Sequence, residues 1–449
     1  MAAASLLRGL AALSAVMAAA AAAAPLPPSQ IRLAFTRDAR AVVVHFASSN
    51  ATDAPPFAPS AQWGLSPSAL TNAAANCSTD AYVAWGVRSP QLHFCVLAGL
   101  PAGGQAEVFY RVGDAAGASW SRVLRFRTAL AAGDATPFAF AVTGDMGIEF
   151  SAPTMAAVAA AAAARDLRFF ALHNGDLAYA DNRQSLYNGT IADGVVNEFY
   201  EMLSDAYAAE VPLFFSLGNH EMQLGDIPTC INGTLECRGL AYLKRVAPTL
   251  PASPSPFYFS IDHGLAHFVS ISFESGWEQG SAQLAWLAAD LAAVDKRATP
   301  WTVLFVHRPL YCSNTYSCNL TAPYLALYEP LMYDAAGAVR VDVVFTSHVH
   351  CFERMHQVKG GRLLDAGYVG MRSPLYLLQG SAGCLEGSTP WLPDKPDWSA
   401  VRMCESVAFG FSTVEVLNTT HLRTSFVDTK TGSPLDEVVI SRASAIEML

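Results

Sequence analysis

The stretch NGDLAYAD, residues 174–181, ends a hydrophobic run, RFFAL, with an aspartate and sets a tyrosine three residues later. A tight turn favours Asn, Gly and Asp. Nothing in a turn requires Tyr179. The same pattern recurs along the chain. FAFAV runs into TGDMG and delivers Asp145; LFFSL runs into GNHE and delivers Asn219, His220 and Glu221. TVLFV runs into His307, and VVFT into SHVH, with His348 and His350. Five apolar runs of strand length therefore end in groups that bind metals or protons. A lone Asp-Gly after a strand is usually only a turn, and a lone histidine usually a satisfied core residue. Five in this order are hard to obtain by accident.

Between these runs lie helical patterns. SAPTMAAVAAAAAARD is alanine-rich, with Ser151 as N-cap and Pro153 in the first turn, and SAQLAWLAADLAAVDKR is amphipathic. Strands alternating with helices give a layered α/β architecture, with ligands expected beyond the carboxyl ends of the strands. Upstream, residues 28–128 read as all-β. QIRLAFT, AVVVHFAS, YVAWGV, HFCVLAGL, AEVFYRVG and SRVLRFRT are short runs divided by turn residues, which suggests a sandwich of about seven strands. YRVGDAAGASWSRVLRFRT is similar to the closing hairpin of a fibronectin type III-like module. The linker ALAAGDATP leads to the second domain, set at residues 137–435.

Residues 1–24 read as a secretory signal peptide, with Arg8 before an apolar run and alanines before Pro25. No other stretch is long enough for a membrane span. A net charge of −10 argues against a nucleic-acid surface. The N-x-S/T sites at Asn50, Asn76, Asn188, Asn232, Asn319 and Asn418 fit a lumenal or extracellular chain, either secreted or delivered to a vacuole or lysosome. Nine cysteines fit an oxidising compartment. Pairing by proximity in sequence gives Cys77 with Cys95, Cys230 with Cys237, Cys312 with Cys318 and Cys384 with Cys404. Cys351 is then left over as a small buried residue.

Carboxylates and imidazoles suit hard and borderline metals, and two metals need a shared bridge, for which Asp176 is central. A phenol with a pKa near ~10 ligates as phenolate only to a strongly acidic cation, so Tyr179 selects ferric iron. His348 and His350, two apart, fall on one face of an extended segment; spacing alone does not separate their roles.

GDMG, GDLAYAD, GNHE, VHRPLY and SHVHCFER resemble the ordered motifs of the purple acid phosphatases, a branch of the binuclear metallophosphoesterases. The likeness extends through the upstream β-rich region, GSAGCLEG and SVAFGFSTVEV. It implies a β-sandwich followed by an α/β domain of two mixed sheets flanked by helices. It also implies one site of Asp145, Asp176, Tyr179 and His350 for Fe(III), and another of Asn219, His307, His348 and Asp176 for Zn, Mn or Fe(II). The implied reaction is hydrolysis of small phosphate monoesters at acidic pH by a metal-bound hydroxide, with His220 steadying the transition state or protonating the leaving group. Two departures stand out. The family usually has glycine where Ser347 stands, so an altered backbone is expected there. Plant enzymes of this type carry histidines soon after the position of His307, whereas RPLYCSNTYSCNLTAPY has none. Two rival readings are a divalent-only enzyme acting on diesters or nucleotides, which Tyr179 opposes, and a secreted binding protein with a dead catalytic domain, which the complete ligand set opposes.

Overall fold

The structure is a computed structural model, and it describes residues 27–442 apart from 50–56, 85, 86, 105, 117, 118, 167, 184–189, 223–238, 316, 317, 319, 320, 389 and 405–408. The signal-peptide segment, the Cys230–Cys237 pair and the sites at Asn50, Asn188, Asn232 and Asn319 lie outside the described residues. Asn76 and Asn418 are exposed. Among the described residues, no helix is long and apolar enough to cross a membrane.

The first part of the chain forms two four-stranded antiparallel sheets. One runs Ser29–Phe35, Ala41–Ser48, Gln91–Ala98, Asn76–Asp80. The other runs Leu124–Arg127, Glu107–Asp114, Pro59–Gly64, Asn72–Ala73. Alternate residues such as Val42, Val44 and Phe46 face Val108, Tyr110 and Val112 in one shared core. Three of these strands escape the hydrophobic pattern. Pro59–Gly64 places only Ala61 and Trp63 in the core, Asn72–Ala73 is exposed and Asn76–Asp80 is polar and mostly exposed, and their backbone pairing is set by neighbours. YVAWGV instead breaks into a separate small hairpin, Val83–Ala84 against Val87–Arg88.

The second part builds two mixed sheets. The six-stranded sheet runs Leu213–Ser216, Phe169–Asn174, Phe138–Thr143, Gly410–Val416, His421–Asp428, Pro434–Ser441, with the first three parallel. The seven-stranded sheet runs Phe259–His263, Ala266–Ile271, Trp301–Val306, Val343–Thr346, Leu375–Gln379, Cys351–Met355, Ser399–Cys404, with four central parallel strands. The two sheets pack through an aromatic layer: Phe268 meets Phe140 at 5.1 Å and Phe170 at 5.2 Å between ring centres. Each such buried Phe contributes about 1.5–3 kcal/mol. Helices Ala152–Ala163 and Thr190–Leu203 cover one outer face, and Ala282–Ala293 covers the other. Ser281 caps its helix by accepting from the Leu284 N–H at 3.2 Å. Ser151 sits at its N-cap and accepts from the Met155 N–H through its carbonyl at 2.9 Å, but its backbone is already helical and its buried hydroxyl makes no capping bond.

The sandwich is fixed to the second domain. Tyr110 Oη donates to the Ala209 carbonyl at 2.5 Å, and buried Arg245 donates to Gln30 Oε1 at 2.6 Å and Tyr82 Oη at 2.9 Å. Disulfides join Cys77 to Cys95, Cys312 to Cys318 and Cys351 to Cys404. The last corrects the expected Cys384–Cys404 pair and the unpaired Cys351. Cys351 and Cys404 are opposite partners on antiparallel strands, Cα atoms 4.2 Å apart, a proximity that sequence distance does not report. Cys384 is instead a buried thiol.

Candidate metal centre

Parallel strands leave their carboxyl ends on one edge, and the loops that follow them meet there. The approach is close. A Cβ on Gly175 would lie 2.6 Å from His307 Nδ1, and one on Gly218 would lie 2.3 Å from Asp176 Oδ1. The glycines of GD and GN are therefore required for contact between loops. Asn174 ties both sheets together: its Nδ2 donates to the carbonyls of Val306 and Phe345 and to Ser347 Oγ at 3.1–3.3 Å. Ser347 is fully buried and donates to the Gln379 carbonyl at 2.9 Å, so its hydroxyl joins this staple.

Backbone strain concentrates in the same place. Six described non-glycine residues have positive φ, and four are Asp145 (57°), Asp176 (53°), Tyr179 (53°) and His348 (70°). Such conformations cost about 1–3 kcal/mol each and persist where surrounding contacts impose them. His348 at φ 70° also corrects the expected extended His-x-His segment. The chain bends there, and the two imidazoles serve different clusters.

In one cluster Tyr179 Oη lies 3.0 Å from Asp145 Oδ1, 3.1 Å from His350 Nε2 and 3.4 Å from Asp176 Oδ2. In the other, His307 Nε2 lies 3.0 Å from the same Asp176 Oδ2 and 3.1 Å from Asn219 Oδ1. His348 completes a set with Asp176 and His307 whose donor atoms lie within 4.8 Å of one another. Ligands about 2.0–2.2 Å from an ion stand roughly 3.0–3.5 Å apart in octahedral or tetrahedral geometry, so these spacings fit two cations sharing Asp176 Oδ2. The remaining atoms are held. Asp176 Oδ1 accepts from the His220 N–H at 2.9 Å, and Asp145 Oδ2 from the His348 N–H at 2.9 Å. His307 Nδ1 meets the Asn174 carbonyl, and His350 Nδ1 the Gly387 carbonyl, each at 2.9 Å, which turns both Nε2 atoms inward.

Electrostatics agree with this division. Burial, then the Asp145 and Asp176 carboxylates, pushes the Tyr179 phenol well above its ordinary value. Burial opposes charge on Asp176, yet His307 and His220 outweigh it and hold the carboxyl well below its usual range. Burial and the nearby His307 keep His348 neutral. Burial is likewise outweighed at His307, raised to about 9 by Asp176, and at His350, raised to about 12 chiefly by its bond to Asp145. A cation entering here displaces protons.

Four further residues belong to the site. Glu221 accepts from the N–H groups of Asp176 (3.0 Å), Leu177 (2.8 Å) and Gly218 (3.0 Å), joining the GD and GN loops. Asp181 accepts from His220 Nδ1, with oxygens at 2.8 and 3.0 Å. Glu386 lies 3.6 Å from His220 Nε2, and with Cys384 and His350 it forms a group within 4.8 Å. All four stand inside the quoted motifs GDLAYAD, GNHE and GSAGCLEG, which was the available signal.

Two groups of donor atoms meet at Asp176 Oδ2 beyond the ends of parallel strands, and residues 138–352 match the family described as calcineurin-like phosphoesterase. Residues 28–128 match purple acid phosphatase, N-terminal domain, and residues 373–437 match iron/zinc purple acid phosphatase-like protein C. Acid phosphatase type 7 of Mus musculus is 30% identical, over 82% of this chain and 81% of its own. Phosphoenolpyruvate phosphatase of Allium cepa is 29% identical, over 80% and 70%. A purple acid phosphatase from yellow lupin (Lupinus luteus) seeds superposes with a TM-score of 0.76 at 21% identity, over 94% of this chain and 76% of that one, a likeness of fold. The chain belongs to the purple acid phosphatase family.

Proposed function

We propose that the chain hydrolyses phosphate monoesters at a ferric–divalent pair, with Asp145, Asp176, Tyr179 and His350 around the iron and Asn219, His307, His348 and Asp176 around Zn, Mn or Fe(II). The observation that carries this is Asp176 Oδ2, shared between a cluster containing a phenol and one containing an amide and imidazoles. A phenol pushed up by burial and two carboxylates yields its proton only to a strongly acidic cation. When bound, the cations supply Lewis acidity, neutralising phosphate charge and lowering the pKa of water.

His220 holds the proton for the leaving oxygen. Asp181 fixes its Nδ1, leaving Nε2 toward the centre, 3.9 Å from Asp176 Oδ2. Burial opposes its charge, but Asp176, Asp181 and Glu386 raise it to about 10. The three disulfides among the described residues support an oxidising compartment, and with residues 1–24 read as a leader they favour secretion or delivery to an acidic lumen.

The test is hydrolysis of p-nitrophenyl phosphate and its diester at pH 5 by the metal-loaded protein. The monoester should be preferred, and His220→Ala should lower kcat about 10²–10⁴-fold with both metals retained. Loss of metal from that variant, or preference for the diester, would overturn the assignment.

A further inference from the structure

The segment after His307 lacks histidine, and its first residue is Arg308. Its Nε donates to Glu274 Oε1 at 2.7 Å and its Nη2 to Glu274 Oε2 at 3.1 Å, a two-point fork that fixes the guanidinium plane. The brace is itself held: the Glu274 N–H donates to Ser272 Oγ at 3.0 Å, and its side chain is 7% exposed. Arg308 remains 20% exposed. Its third nitrogen, Nη1, donates one N–H to Nε2 of His348 at 3.2 Å, in the Asp176–His307–His348 group, and carries a second N–H beyond that bond. The fork occupies one edge of the guanidinium and leaves Nη1 at the rim of the cation site.

We propose that Arg308 is a substrate-positioning residue whose Nη1 donates to a phosphoryl oxygen of the bound ester and favours dianionic monoesters over monoanionic diesters. This rests on the phosphatase reading above. The chemistry is that of arginine and phosphate: a planar donor, fully charged at any working pH, turned by its carboxylate partner so that one N–H edge is presented. A diester offers one charge fewer, and its second alcohol group would crowd an oxygen position that Arg308 addresses. Lysine would keep the charge but not the fork with Glu274.

The test uses the full chain loaded with both metals, with inorganic phosphate as probe. Phosphate affinity is measured by titration calorimetry, iron and second-metal content on the same samples, and KM and kcat with p-nitrophenyl phosphate and bis-p-nitrophenyl phosphate. Arg308→Gln should bind phosphate about 10- to 100-fold more weakly, the loss expected for one charge-assisted hydrogen bond. Its monoester KM should rise by a similar factor, and the monoester-to-diester preference should fall. Metal content should match the parent protein. Arg308→Lys should fall between the two, and it carries the test if the glutamine variant fails to fold. Loss of the second metal, or a fall in kcat with phosphate affinity and KM unchanged, would mean that Arg308 only supports His348, and would overturn the proposal. A fully metallated parent protein that binds no phosphate would overturn the phosphatase reading itself. Normal binding by the parent and an equal affinity in Arg308→Gln would overturn the role of Arg308 alone.

Discussion

Removing the Cys351–Cys404 disulfide tests the link between the covalent frame and the metal centre. Cys351 directly follows His350, and its partner stands 53 residues on, across two antiparallel strands. The loop-entropy model assigns closure of a 53-residue loop about 4 kcal/mol, against about 3 kcal/mol for the 18-residue separation of Cys77–Cys95. In a domain of this size 4 kcal/mol corresponds to roughly 6–8 °C in the thermal midpoint. Two effects should separate the pairs. The double substitution Cys351→Ala/Cys404→Ala should lower the midpoint and also weaken iron binding, because the strand that directly follows His350 loses its covalent tie to the edge strand. Iron affinity should fall about 10-fold, the scale of a disturbed ligand support. Cys77→Ala/Cys95→Ala lies in the sandwich and should lower stability with the centre intact. The assay is thermal unfolding at one scan rate, with iron content after a timed exposure to chelator. An unmoved midpoint, or equal iron retention in both double variants, would refute the reasoning.

Other outcomes follow from the same contacts. Glu221→Ala leaves three buried N–H groups without their carboxylate, at about 1–3 kcal/mol each; metal affinity should fall with stability, and unchanged metal binding would contradict the bridging role. His267 lies between Asp262 (2.6 Å) and Asp290 (2.9 Å); burial opposes its charge, but the two bonds outweigh it and raise its pKa. A raised folded value gives stability that is fully present below about pH 6.5 and is lost as pH rises through the folded pKa. The stability gap between the parent and His267→Gln should therefore be wider at pH 5.5 than at 8.5, as read by urea midpoints; a gap that grows with pH would contradict it. Since His220 must be protonated to act, the His220-dependent part of kcat should decline on the alkaline side, and a rate that rises there would exclude it as the acid.

Much of the centre could be read in the sequence because each donor ends an apolar run, and buried parallel strands are continuous hydrophobic runs. That is how Asp145, Asn219 and His307 stand out. The conformations that aim the donors were not legible: nothing in SHVH signals φ 70° at His348, since that turn is imposed by the Asp145 carboxylate accepting its N–H. Glu221, Asp181 and Glu386 were in view as letters, but their roles depend on loops 39 or more residues apart meeting at two glycines. The Cys351–Cys404 bridge was misread for the same reason, because strand pairing brought together what spacing kept apart. In the sandwich, NCSTD was missed because an exposed strand needs no hydrophobic alternation when a neighbouring backbone sets its register.

The central claim is that Tyr179 binds ferric iron beside a second metal across Asp176. The most direct measurement is the visible absorption spectrum of the purified protein, with metal analysis of the same sample, compared with Tyr179→Phe. A broad tyrosinate-to-iron band, with one iron and one further metal per chain and no band in the variant, is the predicted result. A colourless protein with both positions filled, or a band that survives in Tyr179→Phe, would contradict it.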